Sequence, residues 1–334
     1  MSLLRPSDDA AVAIAQLADW LEAAEPAPLL IETSGSSGQP KRVVLSRSAV
    51  VASVEASARR LGESGQWLLA LPSSYVAGIQ VICRSLLAGH QPQRVDRLDF
   101  AAAPNARPPL FTSLVPTQLH RLLDQPAQVA ALRAMHTILL GGGPIDPALR
   151  ARAEREGLRL VATYGASETA GGCVYDGVAL DGVALAIGAD GRIRIGGPTL
   201  FDGYDSDPAL TAETLVDGWY HTSDAGRLDE DGRLHVLGRI DDVVISGGVN
   251  VPLPAVAARL REHPDIEAVE VLGVPDDEWG TQVVAFVVGR GDDLRAWVAQ
   301  VHPRAWAPQQ VVVLPELPLL PNGKVDRQAL RALL

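Results

Sequence analysis

Along residues 8–24, 46–61 and 79–88, apolar side chains return every three to four positions, the period of one helix face, and each stretch predicts a helix. Short apolar runs at 27–31, 43–45 and 67–71, the last bounded by Pro72, predict strands. The pattern is sharpest in the middle of the chain. A buried run, Thr137–Leu140, leads into Gly141-Gly142-Gly143-Pro144. Asp146 can then cap a helix that opens at Pro147 and ends at Gly157. The next apolar run, 159–163, is followed by Tyr164-Gly165. A strand–loop–helix–strand unit predicts parallel strands, with ligands outside their C-terminal ends. Beyond residue 180 the turns Asp190-Gly191, Gly196-Gly197, Asp217-Gly218 and Asp231-Gly232 punctuate short runs, the mark of antiparallel structure. From about Asp241 the rhythm changes again: a helix over 255–262, strands over 266–274 and 282–288, a helix over 293–302 and a strand over 309–314. The fold class expected is α/β plus α+β. Residues 1–240 form a large N-terminal domain with a parallel-sheet part and a β-rich part, and residues 241–334 form a small α+β C-terminal domain.

Composition narrows the function classes. The formal net charge of -11 argues against a nucleic-acid footprint. Cys83 and Cys173 are the two cysteines, far apart and without metal-ligand spacing, which fits a reducing cytoplasm better than a disulfide framework. The N-terminus lacks the basic start of a signal peptide, and no apolar run approaches the about 20 residues that span a bilayer. Of 29 basic residues, Lys41 and Lys324 alone are lysines. Arginine does not replace a compact ammonium that must approach a phosphate or carboxylate, so both lysines are candidates for chemistry.

Lys41 ends the loop Thr33-Ser34-Gly35-Ser36-Ser37-Gly38-Gln39-Pro40-Lys41. Glycines let backbone N–H groups approach phosphate oxygens, and hydroxyls add donors. The spacing Gly35-x-x-Gly38-x-x-Lys41, with Arg42 next, is not that of the P-loop of GTPases, and a Gly/Ser loop alone is as readily a flexible linker. The loop resembles the signature of the adenylate-forming superfamily, which includes acyl-CoA synthetases, luciferases and peptide-synthetase adenylation domains. Four further segments resemble the remaining motifs of that family, in order: Tyr164-Gly165-Ala166-Ser167-Glu168, Tyr220-His221-Thr222-Ser223-Asp224, Gly238-Arg239-Ile240-Asp241-Asp242, and Pro321-Asn322-Gly323-Lys324-Val325-Asp326. Both lysines fall inside these motifs.

The resemblance implies roles. Thr33, Ser34, Gly35, Ser36, Ser37 and Gly38 with Lys41 would hold the β- and γ-phosphates of ATP. Tyr164 would stack on adenine beside Gly142, Gly143, Gly165 and Ser167. Glu168 would bind Mg²⁺, a hard cation that takes oxygen ligands. Asp224 would accept from the ribose hydroxyls, with Arg239 nearby. Lys324 would bridge the attacking carboxylate and the α-phosphate, stabilising the charge that develops there. A mobile C-terminal domain would rotate about Asp241, and Gly247 and Gly248 would line the route of the coenzyme A thiol. Taken singly, Asp224 and Asp241 read more readily as turn residues, and Glu168 can be a first-turn acid; the order of five motifs favours the chemical reading.

Residues 72–89, with Tyr75, Gly78 and Arg84, and the segment Leu139-Leu140-Gly141 resemble the acyl-pocket region of the o-succinylbenzoate–CoA ligases of menaquinone synthesis. Tyr75 stands where many of these ligases carry His, and Ser167 replaces the commoner Thr. The phosphate loop begins at residue 33, so the region before it is expected to be shortened. The expected partners are a small carboxylic acid, ATP and coenzyme A, without nucleic acid or a membrane span; the oligomeric state stays open, a homodimer included. Another aryl- or acyl-CoA ligase, an adenylation protein that loads a carrier protein, and a non-catalytic nucleotide-binding homologue remain the alternatives.

Overall fold

The computed structural model describes residues 2–33, 40–103, 109–321 and 323–334, with the backbone alone at Asp241. Ser34, Gly35, Ser36, Ser37 and Gly38 of the Gly/Ser segment and Asn322 thus lie outside the described residues, as does the Asp241 side chain.

A seven-stranded sheet runs in the order Gln93–Arg94, Gln66–Leu69, Leu110–Leu114, Thr137–Leu140, Leu160–Ala166, Gly171–Tyr175, Val178–Ala179. The first five strands are parallel; the last two turn back antiparallel. Strand alternation divides the core. Trp67, Leu69, Phe111 and Leu139 face one hydrophobic cluster, which includes the helices Ala10–Glu22, Arg47–Leu61 and Val76–Leu87. Leu68, Ile138 and Leu140 face the other, built with Leu119, Leu122, Leu132 and Ala153 from the helices behind. Helix ends follow local chemistry. The Asp146 carboxylate accepts from the Ala148 N–H at 2.7 Å, Pro147 opens that helix, and Gly157 beyond its end takes φ +77°.

The strand expected over 159–163 continues through Tyr164-Gly165 to Ala166. The reason lies in the following strand, Gly171–Tyr175, which pairs back onto it, and in Gly165, where a Cβ would meet the Gly171 carbonyl oxygen at 2.1 Å.

The β-rich part contains a five-stranded antiparallel sheet of Ala184–Ile187, Arg192–Gly196, Leu215–Val216, Trp219–Leu228 and Leu234–Arg239, with turns at Asp190-Gly191, Asp217-Gly218 and Asp231-Gly232. Leu29–Thr33 and Lys41–Leu45, the strands on either side of the Gly/Ser segment, pair antiparallel with Thr33 opposite Lys41, and Gly203–Tyr204 adds a third strand. The small C-terminal domain packs the helices Leu253–Arg261 and Leu294–Ala299 on a sheet of Ile266–Asp276, Gly280–Gly289 and Gln310–Leu314. Two of its elements were not anticipated: the hairpin Val243–Ser246/Val249–Pro252 and the closing helix Arg327–Arg331. Among the described residues no helix is long and apolar enough to cross a membrane.

Candidate active site

Three parallel strands end at one cavity, whose space including its open mouth is ≈ 990 Å³. Val115, Gly141 with Gly142, and Ala166 with Ser167 line it from those strand ends. Tyr75, Gln80 and Arg84 form a wall from the Val76–Leu87 helix and its cap, Tyr175 another, and Thr33 and Lys324 lie at the rim. This is the location that the parallel order dictates. Gly141 and Gly142 are needed for two different reasons. A Cβ on Gly141 would meet Thr163 Oγ1 at 2.3 Å; one on Gly142, at φ +80°, would approach Val115 and lie 3.7 Å from Lys324 Cε. The lysine stem therefore runs over the glycine loop.

Beside the cavity the charged residues gather. The Tyr164 hydroxyl donates to Asp224 Oδ2 at 2.7 Å, and Asp224 lies opposite Arg239 in the antiparallel sheet. Burial, then the Asp224 charge, raises the Tyr164 pKa well above that of an ordinary phenol, so it stays a neutral donor. The Tyr204 hydroxyl likewise donates to Glu168 Oε1 at 2.8 Å, and Lys41 Nζ sits 5.4 Å from the Tyr204 ring centroid. Glu168 is buried, and among the described residues no ion pair neutralises it. Lys324 is solvent-accessible in its cleft, yet desolvation by the surrounding protein lowers its pKa; Asp224 and Glu168 oppose that shift and Arg239 adds to it. One lysine from the far end of the chain thus shares a field with the Tyr–Asp and Tyr–Glu pairs.

Arg84 is 6% exposed. Its Nη2 donates to the Tyr175 hydroxyl at 3.2 Å, its guanidinium lies 4.9 Å from the Trp67 ring centroid, and its Nε has no hydrogen-bond partner. Among the described residues no carboxylate pairs with it. Gly78 does not line the cavity: it is buried where a Cβ would meet the Pro72 carbonyl oxygen at 2.0 Å, so it serves the packing of the helix start. Gly143 is exposed, with open space around its Cα, and is not part of the lining. Gly247 and Gly248 turn the hairpin after Asp241 at φ +55° and +81°, also outside the lining, with Gly247 against the Trp279 ring.

Sequence reading missed Tyr175, Gln80 and Tyr204. A signal was available. The chain has five tyrosines, and three, Tyr75, Tyr164 and Tyr175, line or border the cavity, while Tyr204 holds Glu168 and Tyr220 meets Phe201 edge-on, as Tyr204 does. Scarce tyrosine, like scarce lysine, is concentrated at one place.

A cavity at the ends of parallel strands, lined by Thr33 and by a lysine from near the C-terminus, is the site of an adenylate-forming enzyme. The sequence matches the AMP-binding enzyme family over residues 12–196 and the AMP-binding enzyme C-terminal domain over 255–324, and the chain belongs to this family. It is 43% identical over 319 residues to a probable 2-succinylbenzoate–CoA ligase of Mycobacterium tuberculosis, covering 90% of this chain and 83% of that protein. It is 30% identical over 323 residues to the 2-succinylbenzoate–CoA ligase of Listeria monocytogenes, covering 90% and 69%. Among solved structures it resembles the o-succinylbenzoate CoA synthetase of Bacillus subtilis in complex with its acyl-adenylate, with a TM-score of 0.77 and 26% identity over 91% of this chain and 68% of that one. The same synthetase has been solved with ATP and magnesium.

Proposed function

We propose that this chain is an AMP-forming acid–CoA ligase that converts o-succinylbenzoate to o-succinylbenzoyl-CoA. In the first step a carboxylate oxygen of the acid attacks the α-phosphorus of ATP and pyrophosphate leaves. In the second the coenzyme A thiolate attacks the acyl carbonyl and AMP leaves. Lys324 lies against Gly142 at the cavity rim, where its ammonium can meet both the carboxylate and the α-phosphate. Asp224, fixed by the Tyr164 hydroxyl on Oδ2, keeps its other oxygen for a ribose hydroxyl, and the Tyr164 ring borders the adenine side. Thr33 and Lys41, opposite each other at the base of the phosphate loop, hold the β- and γ-phosphates.

Glu168 fits a magnesium ion. It is a buried carboxylate without an ion pair among the described residues, held by one tyrosine hydroxyl, and such a group calls for a cation. Among the described residues no cluster of three acidic, His or Cys ligands exists, which suits Mg²⁺ held by one carboxylate and substrate phosphates. Bound there, the ion would neutralise phosphate charge.

Arg84 carries the choice of acid. A buried guanidinium with an idle Nε and no carboxylate partner is costly unless a ligand satisfies it. It shares the cavity with Lys324, so a dicarboxylate can give one carboxylate to the reaction and the other to Arg84. The relatives' substrate is such an acid. The boundary between residues 240 and 241, with rotation at Asp241 bringing Gly247 and Gly248 toward the coenzyme A thiol, completes the reading, and two buried free cysteines suit the cytoplasm.

The test is AMP formation with ATP, Mg²⁺, coenzyme A and o-succinylbenzoate beside a panel of benzoates and fatty acids. CoA-dependent turnover confined to o-succinylbenzoate and lost in Lys324→Ala is expected. Arg84→Met should raise KM for this acid by at least about tenfold, the scale of one charge-assisted pair. An unchanged KM would remove Arg84 from recognition, and turnover of a different acid would discard the substrate.

A further inference from the structure

A second group of charges, outside the cavity, ties the hinge to the lysine loop. Asp242 and Glu270 are largely buried, with side chains 14% and 13% exposed, and Arg327 meets both. Its Nη1 and Nη2 donate to Asp242 Oδ1 and Oδ2 at 2.9 and 3.1 Å, and its Nε donates to Glu270 Oε1 at 2.6 Å. Two parallel bonds and a third at an angle fix the guanidinium plane, which lysine could not do.

Arg327 opens the last helix, directly after its cap Asp326 and three residues beyond Lys324. The segment before it is closed on itself. The Leu320 N–H donates to the Lys324 carbonyl, the Gly323 N–H to the Leu320 carbonyl and the Asp326 N–H to the Pro318 carbonyl, each at 2.8 Å. At the other end, Asp242 follows the strand Leu234–Arg239, whose Arg239 is registered against Asp224 in the large domain. Residues 240 and 241 alone separate a position fixed in the large sheet from one clamped to the lysine loop.

We propose that Arg327 is a positioning residue that locks Asp242 and Glu270 into one rigid body with the Lys324 loop, so that rotation at residues 240 and 241 carries the lysine as a lever. The inference rests on the assignment of Lys324 to adenylate formation. Without the clamp the loop can lag behind the hinge, and a lysine displaced by about 1 Å loses on the order of a hundredfold in rate.

The two half-reactions separate this role from general support of the fold. Adenylate formation is followed by ATP–pyrophosphate exchange with o-succinylbenzoate, and thioester formation by supplying the acyl-adenylate with coenzyme A. Arg327→Ala is expected to lower kcat for exchange at least about tenfold while KM for ATP and the thioester step stay within about threefold. Arg327→Lys, with one contact in place of three, should fall between. If Arg327→Ala does not fold, Asp242→Asn, of the same shape, carries the test with a smaller loss in the same step. Hydrogen exchange adds an arm that needs no acid: Arg327→Ala should speed exchange over 318–326 and 240–246 together. Equal loss of both half-reactions, unchanged pyrophosphate exchange, or unchanged protection of both segments would overturn the clamp. Lys324→Ala runs beside these variants. If it keeps adenylate formation, the reading of Lys324 fails; if it loses that step while the Arg327 variants retain it, the clamp alone fails.

Discussion

In the role proposed for it, Lys324 needs its charge for adenylate formation, and its surroundings make that charge harder to keep. Desolvation lowers its pKa, Asp224 and Glu168 pull it back, and Arg239 lowers it further, for a net downward shift. The ammonium is intact below the depressed pKa and lost as pH rises through it. The alkaline limb of adenylate formation is therefore expected below the pH at which a free lysine deprotonates. Lys324→Arg, which stays charged, should lower kcat and abolish that limb; a limb unmoved in this variant would belong to another group. Tyr164→Phe tests the neighbouring pair. It strips one hydrogen bond, about 1 kcal/mol, from Asp224 and should raise KM for ATP about fivefold with less effect on kcat, as read by initial rates. Much of this site was legible residue by residue because the composition exposes it: two lysines among 29 basic residues mark its two ends. Tyr204 was not legible. It stands outside every motif, and its partnership with Glu168 exists only once the strand Gly203–Tyr204 pairs with Lys41–Leu45.

At the scale of elements, the parallel unit was readable because its signals are local. A buried four-residue run, an Asp cap, a proline at the first turn and a closing glycine each act within a few positions, and the helix Pro147–Arg155 forms between them. The continuation of the strand through Tyr164-Gly165-Ala166 was not readable, since it depends on a later strand folding back. That close pairing yields a sharp expectation. A Cβ at Gly165 would sit 2.1 Å from the Gly171 carbonyl oxygen and 2.8 Å from Gly172 Cα, both backbone, so nothing flexible can give way. Gly165→Ala should therefore separate the two strands and cost about 1–3 kcal/mol, seen as a lower midpoint in chemical denaturation, with loss of pyrophosphate exchange. Gly143→Ala, where no atom lies near the added methyl, should leave stability within about 0.5 kcal/mol. Equal midpoints for the two variants would contradict the pairing. The hairpin Val243–Ser246/Val249–Pro252 escaped for another reason: four of its eight residues are valine, which period alone does not assign to strand or helix.

The whole molecule brings residues 33 and 324 to one cavity, and a few named contacts join its two domains there. The Thr117 hydroxyl donates to the Gly323 carbonyl at 3.0 Å, Gly323 lies against Val115, and the Lys324 stem crosses Gly142. Asp146 of the large domain and Arg261 of the small one attract each other as well. Sequence does not announce these contacts, because their partners are more than a hundred residues apart and belong to one arrangement of the domains. The proposed rotation at residues 240 and 241 would make and release these contacts within a catalytic cycle, and a single atom can weight them toward release. Thr117→Val keeps the shape and removes the donor. Losing one hydrogen bond, about 1 kcal/mol, shifts the closed arrangement about fivefold toward open, so adenylate formation should slow by about that factor. Thioester formation from supplied acyl-adenylate, for which the proposed rotation gives a different pose of the small domain, should keep its rate. Thr117→Ser retains the hydroxyl and should match the parent in both steps. Pyrophosphate exchange and single-turnover thioester formation on the three proteins decide it. An equal loss in both steps would make Thr117 a matter of folding, and no loss in either would mean that the lysine is held in place without it.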